Sequence, residues 1–334
     1  MKKVFAWIII VLALVALAVT LIIEARKSIN NDVTKITVGE VTHSVFYAPQ
    51  YVALAKGYFE AEELDVEIIT IPGADKVTAA VLSGDVEIGF CGSEATIYVY
   101  NGGEKDYLKT FAGLTNKDGS FLVGRKKEEK FKIENLKGKH VIAGRVGGMP
   151  VMNFEWALRN NKINPKTDLT TDTSIEFASM QGAFISGIGD YVSLFEPNAS
   201  AIEQEGLGYV VASIGEMAGE IPYTAYNAKK SYIEDNKDVI EKFTRAIAKG
   251  LEYVSKNDSK TIAKTILEYF PDTTLETVTN AIERYKEINA WYRTPEISEE
   301  DFNRIQDIMI DSGTLEEKVS YKDLVDTRFF TKVK

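Results

Sequence analysis

At 334 residues the chain exceeds one average domain, and its 45% hydrophobic and 26% charged residues form an ordinary globular balance that excludes disorder over most of its length. A formal net charge of -10, without any basic stripe, excludes a nucleic-acid binder. One cysteine, Cys91, and two histidines exclude an internal disulfide and a Cys/His zinc site, so no metal or other cofactor is expected.

Lys2 and Lys3 precede an apolar run from Val4 to Ile23 that is closed by Glu24, Arg26 and Lys27. The run is long enough to cross a bilayer as a helix, and the positive-inside bias puts the globular part outside the cell. Residues 1–27 therefore read as a membrane anchor, with a cleaved signal segment as the alternative, and 28–35 as a polar tether. No cysteine stands after the run to carry a lipid.

Strands and helices then alternate. Ile36 to Glu40 reads as a strand, His43 to Tyr47 as a loop, and Pro49 sits in the first turn of a helix closed by Gly57. Val66 to Thr70 is a strand, Lys76 to Leu82 a helix ended by Gly84, Val86 to Phe90 a strand, and Glu94 to Tyr100 a helix. Thr110 to Leu114, Phe121 to Gly124 and Val141 to Ala143 are further strands; Pro150 opens a helix, and strands follow at Ser174 to Phe177, Tyr191 to Leu194 and Tyr209 to Ala212. This alternation predicts an α/β fold with mostly parallel sheets flanked by helices. After Asn227 the alternation stops. Val239, Phe243, Ala246, Ile247, Leu251 and Val254 share one helical face, and Ser298 caps a later helix ahead of Glu299, Glu300 and Asp301.

One pattern occurs twice: Ala80-Val-Leu-Ser-Gly-Asp-Val-Glu-Ile-Gly-Phe90 and Ala183-Phe-Ile-Ser-Gly-Ile-Gly-Asp-Tyr-Val-Ser-Leu-Phe195, each followed by an acid, Glu94 or Glu196. Two half-similar units predict two lobes with a ligand cleft between them. The expected division is 36–121 with 223–334 for a discontinuous first lobe, and 122–222 for the second. The helical C-terminal extension packs on the first lobe, and the two chain crossings form a hinge.

The segments Phe46-Tyr-Ala-Pro-Gln-Tyr-Val-Ala-Leu-Ala-Lys-Gly-Tyr-Phe59, Gly84-Asp-Val-Glu-Ile-Gly-Phe90 and Gly189-Asp-Tyr-Val-Ser-Leu-Phe-Glu-Pro197 resemble substrate-binding proteins of ABC importers. The resemblance is to the group that handles nitrate, sulfonates, taurine and thiamine-precursor pyrimidines, which also includes a fungal pyrimidine synthase. It implies the two-lobed periplasmic-binding-protein type 2 fold, a monomer outside the cell membrane, hinge closure over a small molecule, and an ABC permease with a separate ATPase subunit as partners. It implies a binding protein and not an enzyme; the cysteine-rich motif of the synthase is missing here. A sensor that docks on a receptor is the alternative partner reading.

Ligands of open α/β sheets sit beyond the carboxyl ends of the strands. That rule selects His43, Phe46, Tyr47, Gly73, Ala74, Cys91, Gly92 and Glu94 in the first lobe, and Arg145, Gly147, Met149, Gln181 and Glu196 in the second; Tyr191 and Tyr223 join them as flat apolar walls. Glu94 and Glu196 would repel an anion and accept hydrogen bonds from an amino-substituted ring, while the aromatics supply flat walls. A nitrogen heterocycle such as a thiamine-precursor-like pyrimidine is therefore favoured over a sulfonate, taurine or nitrate. Duller readings stand beside these: Glu94 as a helix-dipole complement, Glu196 as a turn cap, Arg145 in a surface pair, Cys91 as a small buried side chain and His43 as a structural histidine.

Overall fold

The structure, a computed structural model, describes residues 33–330. The anticipated anchor and most of the tether lie outside the described residues. Among those described, no helix is long and apolar enough to cross a membrane.

Two five-stranded sheets organise the chain. The first takes β1 (Thr34–Glu40), β2 (Leu64–Thr70), β3 (Ile88–Gly92), β4 (Leu108–Thr115) and β10 (Thr224–Lys229) in the order β2-β1-β3-β10-β4. The second takes β5 (Ser120–Gly124), β6 (His140–Ile142), β7 (Thr170–Asp172), β8 (Tyr191–Phe195) and β9 (Tyr209–Ser213) in the order β7-β6-β8-β5-β9. Each sheet carries one reversed strand: β10 runs antiparallel to β3 and β4, and β5 antiparallel to β8 and β9. Both are the strands that follow a crossing between sheets. The other strands end at the boundary between the lobes, so a chain arriving from the opposite lobe starts there and must run away from it.

The crossings span 116–119 and 219–223. Phe121, expected in the first lobe, lies within β5 of the second sheet. The strand expected at Ser174 to Phe177 is also displaced. β7 pairs with β6 at Thr170, Thr171 and Asp172, whereas Phe177 stands half-exposed in a 3-10 turn with its ring against Phe195.

Helices α1 (Ala48–Ala55), α2 (Ala74–Ser83) and α3 (Glu94–Asn101) join strands of the first sheet, and α4 (Met149–Asn160), α5 (Met180–Ile185) and α6 (Asn198–Gln204) those of the second, while α7 (Ile214–Ala218) leads from β9 into the crossing back to the first. Pro49 and Pro150 occupy the first turns of α1 and α4, where a missing N–H costs nothing. The C-terminal part adds α8 (Lys230–Asp235), α9 (Lys237–Lys256), α10 (Ser259–Ile266), α11 (Leu275–Glu287), α12 (Glu299–Asp311) and α13 (Tyr321–Leu324). The α9 stripe from Val239 to Val254 is buried, with Phe243 against Phe59, Phe111 and Tyr226 of the first lobe. Ser298 caps α12 by accepting from Asp301 N at 3.0 Å.

Candidate functional site

The two lobes meet along an aromatic seam. Phe46, fully enclosed, touches the rings of Tyr47, Phe195, Tyr223 and Tyr285, and Tyr47 meets Phe90 edge-on. Ser44 Oγ holds Phe46 N at 3.1 Å and donates to Glu196 O across the seam at 2.9 Å, while Trp291 Nε1 donates to Phe46 O at 2.7 Å. Met149, buried at the start of α4, belongs to the same apolar cluster.

Glu94 opens α3 directly behind β3. Its side chain is buried, and no donor reaches its Oε2. Burial pushes the carboxyl up to about 7, against smaller downward pulls from its own backbone N–H and from Arg145. The neighbouring Ser93 Oγ, also buried, has no partner either. Gly92 is required by this geometry: a Cβ there would lie 2.1 Å from Glu94 Oε2.

A second carboxyl, which the sequence reading did not select, lies on the first crossing. Asp118 is fully buried; its Oδ1 accepts from Ser120 N at 2.7 Å and from Ser120 Oγ, and its Oδ2 from Asn153 Nδ2 of α4 at 3.0 Å. Burial raises its pKa to about 6, although these donors and the Tyr223 hydroxyl pull it down. The Tyr223 phenol is raised well above its usual value by burial first, with Asp118 and Glu94 adding to it. Asn153 Oδ1 is buried without a donor. A polar residue amid the apolar Val151, Met152 and Phe154 was the signal available for it.

Other expected residues have different surroundings. Glu196 is occupied: its Oε2 accepts from Ser200 N at 2.8 Å, capping α6, and its Oε1 from Arg284 Nη1 at 2.7 Å. The turn-cap reading accounts for it, and the missing piece was Arg284, eighty-eight positions away. Tyr191 begins β8, so it sits at the end of the second sheet away from the seam, where its hydroxyl donates to Glu128 at 2.6 Å. His43 joins a separate cluster. Its Nε2 donates to Tyr269 O at 2.7 Å, and its Nδ1 faces Glu40 Oε1 and the Tyr51 hydroxyl. The bond to Glu40 is the main cause raising its pKa, with burial opposing. Cys91 is fully buried beside Val77 and Ala95 and accepts from Asn227 Nδ2 at 3.5 Å; burial drives its thiol pKa upward, away from reactivity.

At the rim, Arg145 Nη2 meets Asp75 Oδ1 at 3.0 Å, joining the loop before α4 to α2 across the lobe boundary. Gly73 and Ala74 start α2 beside that pair, and Gly147 O lies 3.5 Å from the Tyr98 hydroxyl. Gln181 is half-buried in the first turn of α5. Two concavities open nearby, one of about 650 Å³ lined by Asn116, Leu251 and Trp291 among others, and one of about 510 Å³ that includes Gly147, Met152 and Thr314. Neither reaches Glu94. Glu94 is nonetheless shut off from solvent, so the seam is closed over that residue. Among the described residues no group of acids, histidines and cysteine is arranged to hold a metal.

The comparisons with known proteins agree with this architecture. The family model described as NMT1/THI5 like matches residues 45–261. A Bacillus subtilis (strain 168) protein named "Putative binding protein YtlA" is 44% identical over 300 residues, covering 90% of each chain. The 4-amino-5-hydroxymethyl-2-methylpyrimidine phosphate synthase of Candida albicans (strain WO-1) is 22% identical over 227 residues, 63% of each chain. Among solved structures, the alkanesulfonate-binding protein SsuA from Xanthomonas axonopodis pv. citri bound to MOPS superposes with a TM-score of 0.70 at 15% identity over 88% of this chain and 98% of that one. The chain thus has the periplasmic binding protein fold, and it belongs to the NMT1/THI5-like family.

Proposed function

We propose that the protein is an extracytoplasmic solute-binding protein that closes its two lobes over a nitrogen heterocycle of the aminopyrimidine kind and hands it to an ABC permease with a separate ATPase. The observation that carries the ligand class is Glu94 Oε2, a buried acceptor without a donor at the seam. A ring amine supplies the missing donor, and Phe46, Tyr47 and Tyr223 supply apolar walls. Entry requires opening about the crossings at 116–119 and 219–223, because the seam is closed.

A bound sulfonate would face Glu94 and Asp118. Glu94, half ionised near pH 7, and Asp118, largely ionised there, would each repel it. The anion reading draws on the SsuA likeness, but at 15% identity that likeness speaks for the fold alone. The binding-protein name of the 44% identical relative supports capture over catalysis. Thermal-shift titration of the purified protein with 4-amino-5-hydroxymethyl-2-methylpyrimidine, taurine and nitrate is the test. A rise in Tm with the pyrimidine alone is expected; a rise with taurine or nitrate and none with the pyrimidine would overturn the ligand class.

A further inference from the structure

Asn153 lies within the apolar wall of α4, fully enclosed, and an aliphatic side chain would avoid the cost of an unpaired amide oxygen there. Its orientation is set by its partner. A carboxylate accepts hydrogen bonds, so the contact between Asp118 Oδ2 and Asn153 at 3.0 Å requires the NH2 group on that side and turns Oδ1 the other way. Asp118 cannot rotate to relieve this, because Ser120 N and Ser120 Oγ hold its other oxygen. Its backbone is confined as well: a Cβ on Gly215 would lie 2.2 Å from Asp118 O.

The pair belongs to the seam. Asp118 sits on the chain crossing, and Asn153 on a helix of the second lobe beside Met152, whose Sδ lies 4.0 Å from the Tyr98 hydroxyl of the helix that Glu94 opens. Two buried acceptors without donors, Glu94 Oε2 from the first lobe and Asn153 Oδ1 from the second, therefore belong to one region.

We propose that Asn153 is a specificity-determining residue and Asp118 its positioning residue: Asp118 aims Asn153 Oδ1 at the bound molecule, so the ligand presents hydrogen-bond donors on two separate edges, one to each lobe. The inference rests on the reading that Glu94 meets the ligand, and it adds that closure is selective because each lobe must find its own donor. A buried acceptor left unpaired discriminates strongly against an analogue that lacks the matching donor.

The test is calorimetric titration with three probes: 4-amino-5-hydroxymethyl-2-methylpyrimidine, its analogue with methyl in place of hydroxymethyl, and its analogue without the amino group. Wild type is expected to bind the first at least about tenfold more tightly than either analogue. Glu94→Gln and Asn153→Leu should each erase discrimination at one edge, and at different edges. Asp118→Asn should erase the same edge as Asn153→Leu, and the double variant should lose no more than either single one, a non-additivity that a merely structural role for Asp118 would not produce. Asn153→Ser serves in the same comparison if Asn153→Leu does not fold. Folded Asn153 variants that keep the wild-type ratios would overturn the inference while an affinity loss in Glu94→Gln upholds the ligand class. No binding of any of the three probes by wild type would overturn both.

Discussion

Arg284 reaches from α11 to Glu196 at the end of β8, with Nη1 2.7 Å from Oε1, and so ties the C-terminal helices to the second lobe. The Glu196 side chain has no solvent exposure, and Arg284 also holds Glu203 and donates to Ser200 Oγ at 3.0 Å. Removing the cation strands a buried carboxylate. Arg284→Met is therefore expected to lower unfolding stability by about 3–5 kcal/mol, and Glu196→Gln in the same background should recover part of it. Urea denaturation of the three proteins checks this; a loss below about 1 kcal/mol would mean that the Ser200 N–H satisfies Glu196 without help.

Gly92→Ala should separate the site from the fold. The added Cβ would sit 2.1 Å from Glu94 Oε2 and 2.6 Å from its carboxyl carbon. The carboxylate must swing away, whereas β3 keeps its pairing with β1 and β10. The expected result is at least a tenfold loss of pyrimidine affinity, or about 1.4 kcal/mol, with a circular dichroism spectrum like that of wild type. Undiminished affinity would remove Glu94 from the ligand's surroundings.

The stability of the protein should fall as pH rises between about 4.5 and about 7. Glu94 has its carboxyl raised from 4.5 to about 7 by burial, so the folded state binds a proton in that window that the unfolded chain has released. Its contribution is complete below the unfolded value and is lost through the folded one. At about 1.36 kcal/mol per unit, the change amounts to about 3 kcal/mol, and Asp118, raised from 3.8 to about 6, adds in the same direction at lower pH. Glu94→Gln keeps a neutral side chain throughout. Denaturation at pH 5 and pH 8 should show the variant gaining on wild type at the higher pH, and parallel profiles would refute a strained, buried acid.

Arg145 and Asp75 form an ion pair whose side chains are 51% and 65% exposed, so its worth to overall stability is within about 1 kcal/mol. Its place across the lobe boundary makes it a latch instead. Arg145→Ala should leave Tm near the wild-type value while the radius of gyration of the unliganded protein, measured by small-angle scattering, increases. Identical scattering curves would show that the aromatic seam alone keeps the lobes together.

The elements of the chain were largely readable before the fold was known. Proline at the first turns of α1 and α4, Ser298 ahead of α12 and the stripe from Val239 to Val254 are local signals, and each produced its element. The two reversed strands were not readable, because the direction of β5 and β10 depends on where the chain re-enters the other lobe. Nor was the displacement of β7 to Thr170–Asp172, where pairing with β6 prevails over the apolar Ile175 and Phe177.

The same division runs through the candidate site. Glu94, Phe46 and Tyr47 were selected from their places behind strands and ahead of helices, positions that short-range turn and cap chemistry dictates. Asp118 and Asn153, thirty-five residues apart, carry no mutual spacing signal and become a pair only when α4 packs against the first crossing. Glu196 and Arg284 are likewise joined by packing alone. What the amino-acid order determined unaided was most of the helices and strands, because hydrophobic period and capping act over a few residues, and the two-lobed plan, because a repeated segment is visible in the order itself. Which polar groups end buried, which find partners and which remain without one was decided by tertiary structure, because desolvation and hydrogen bonding depend on neighbours that only folding brings near.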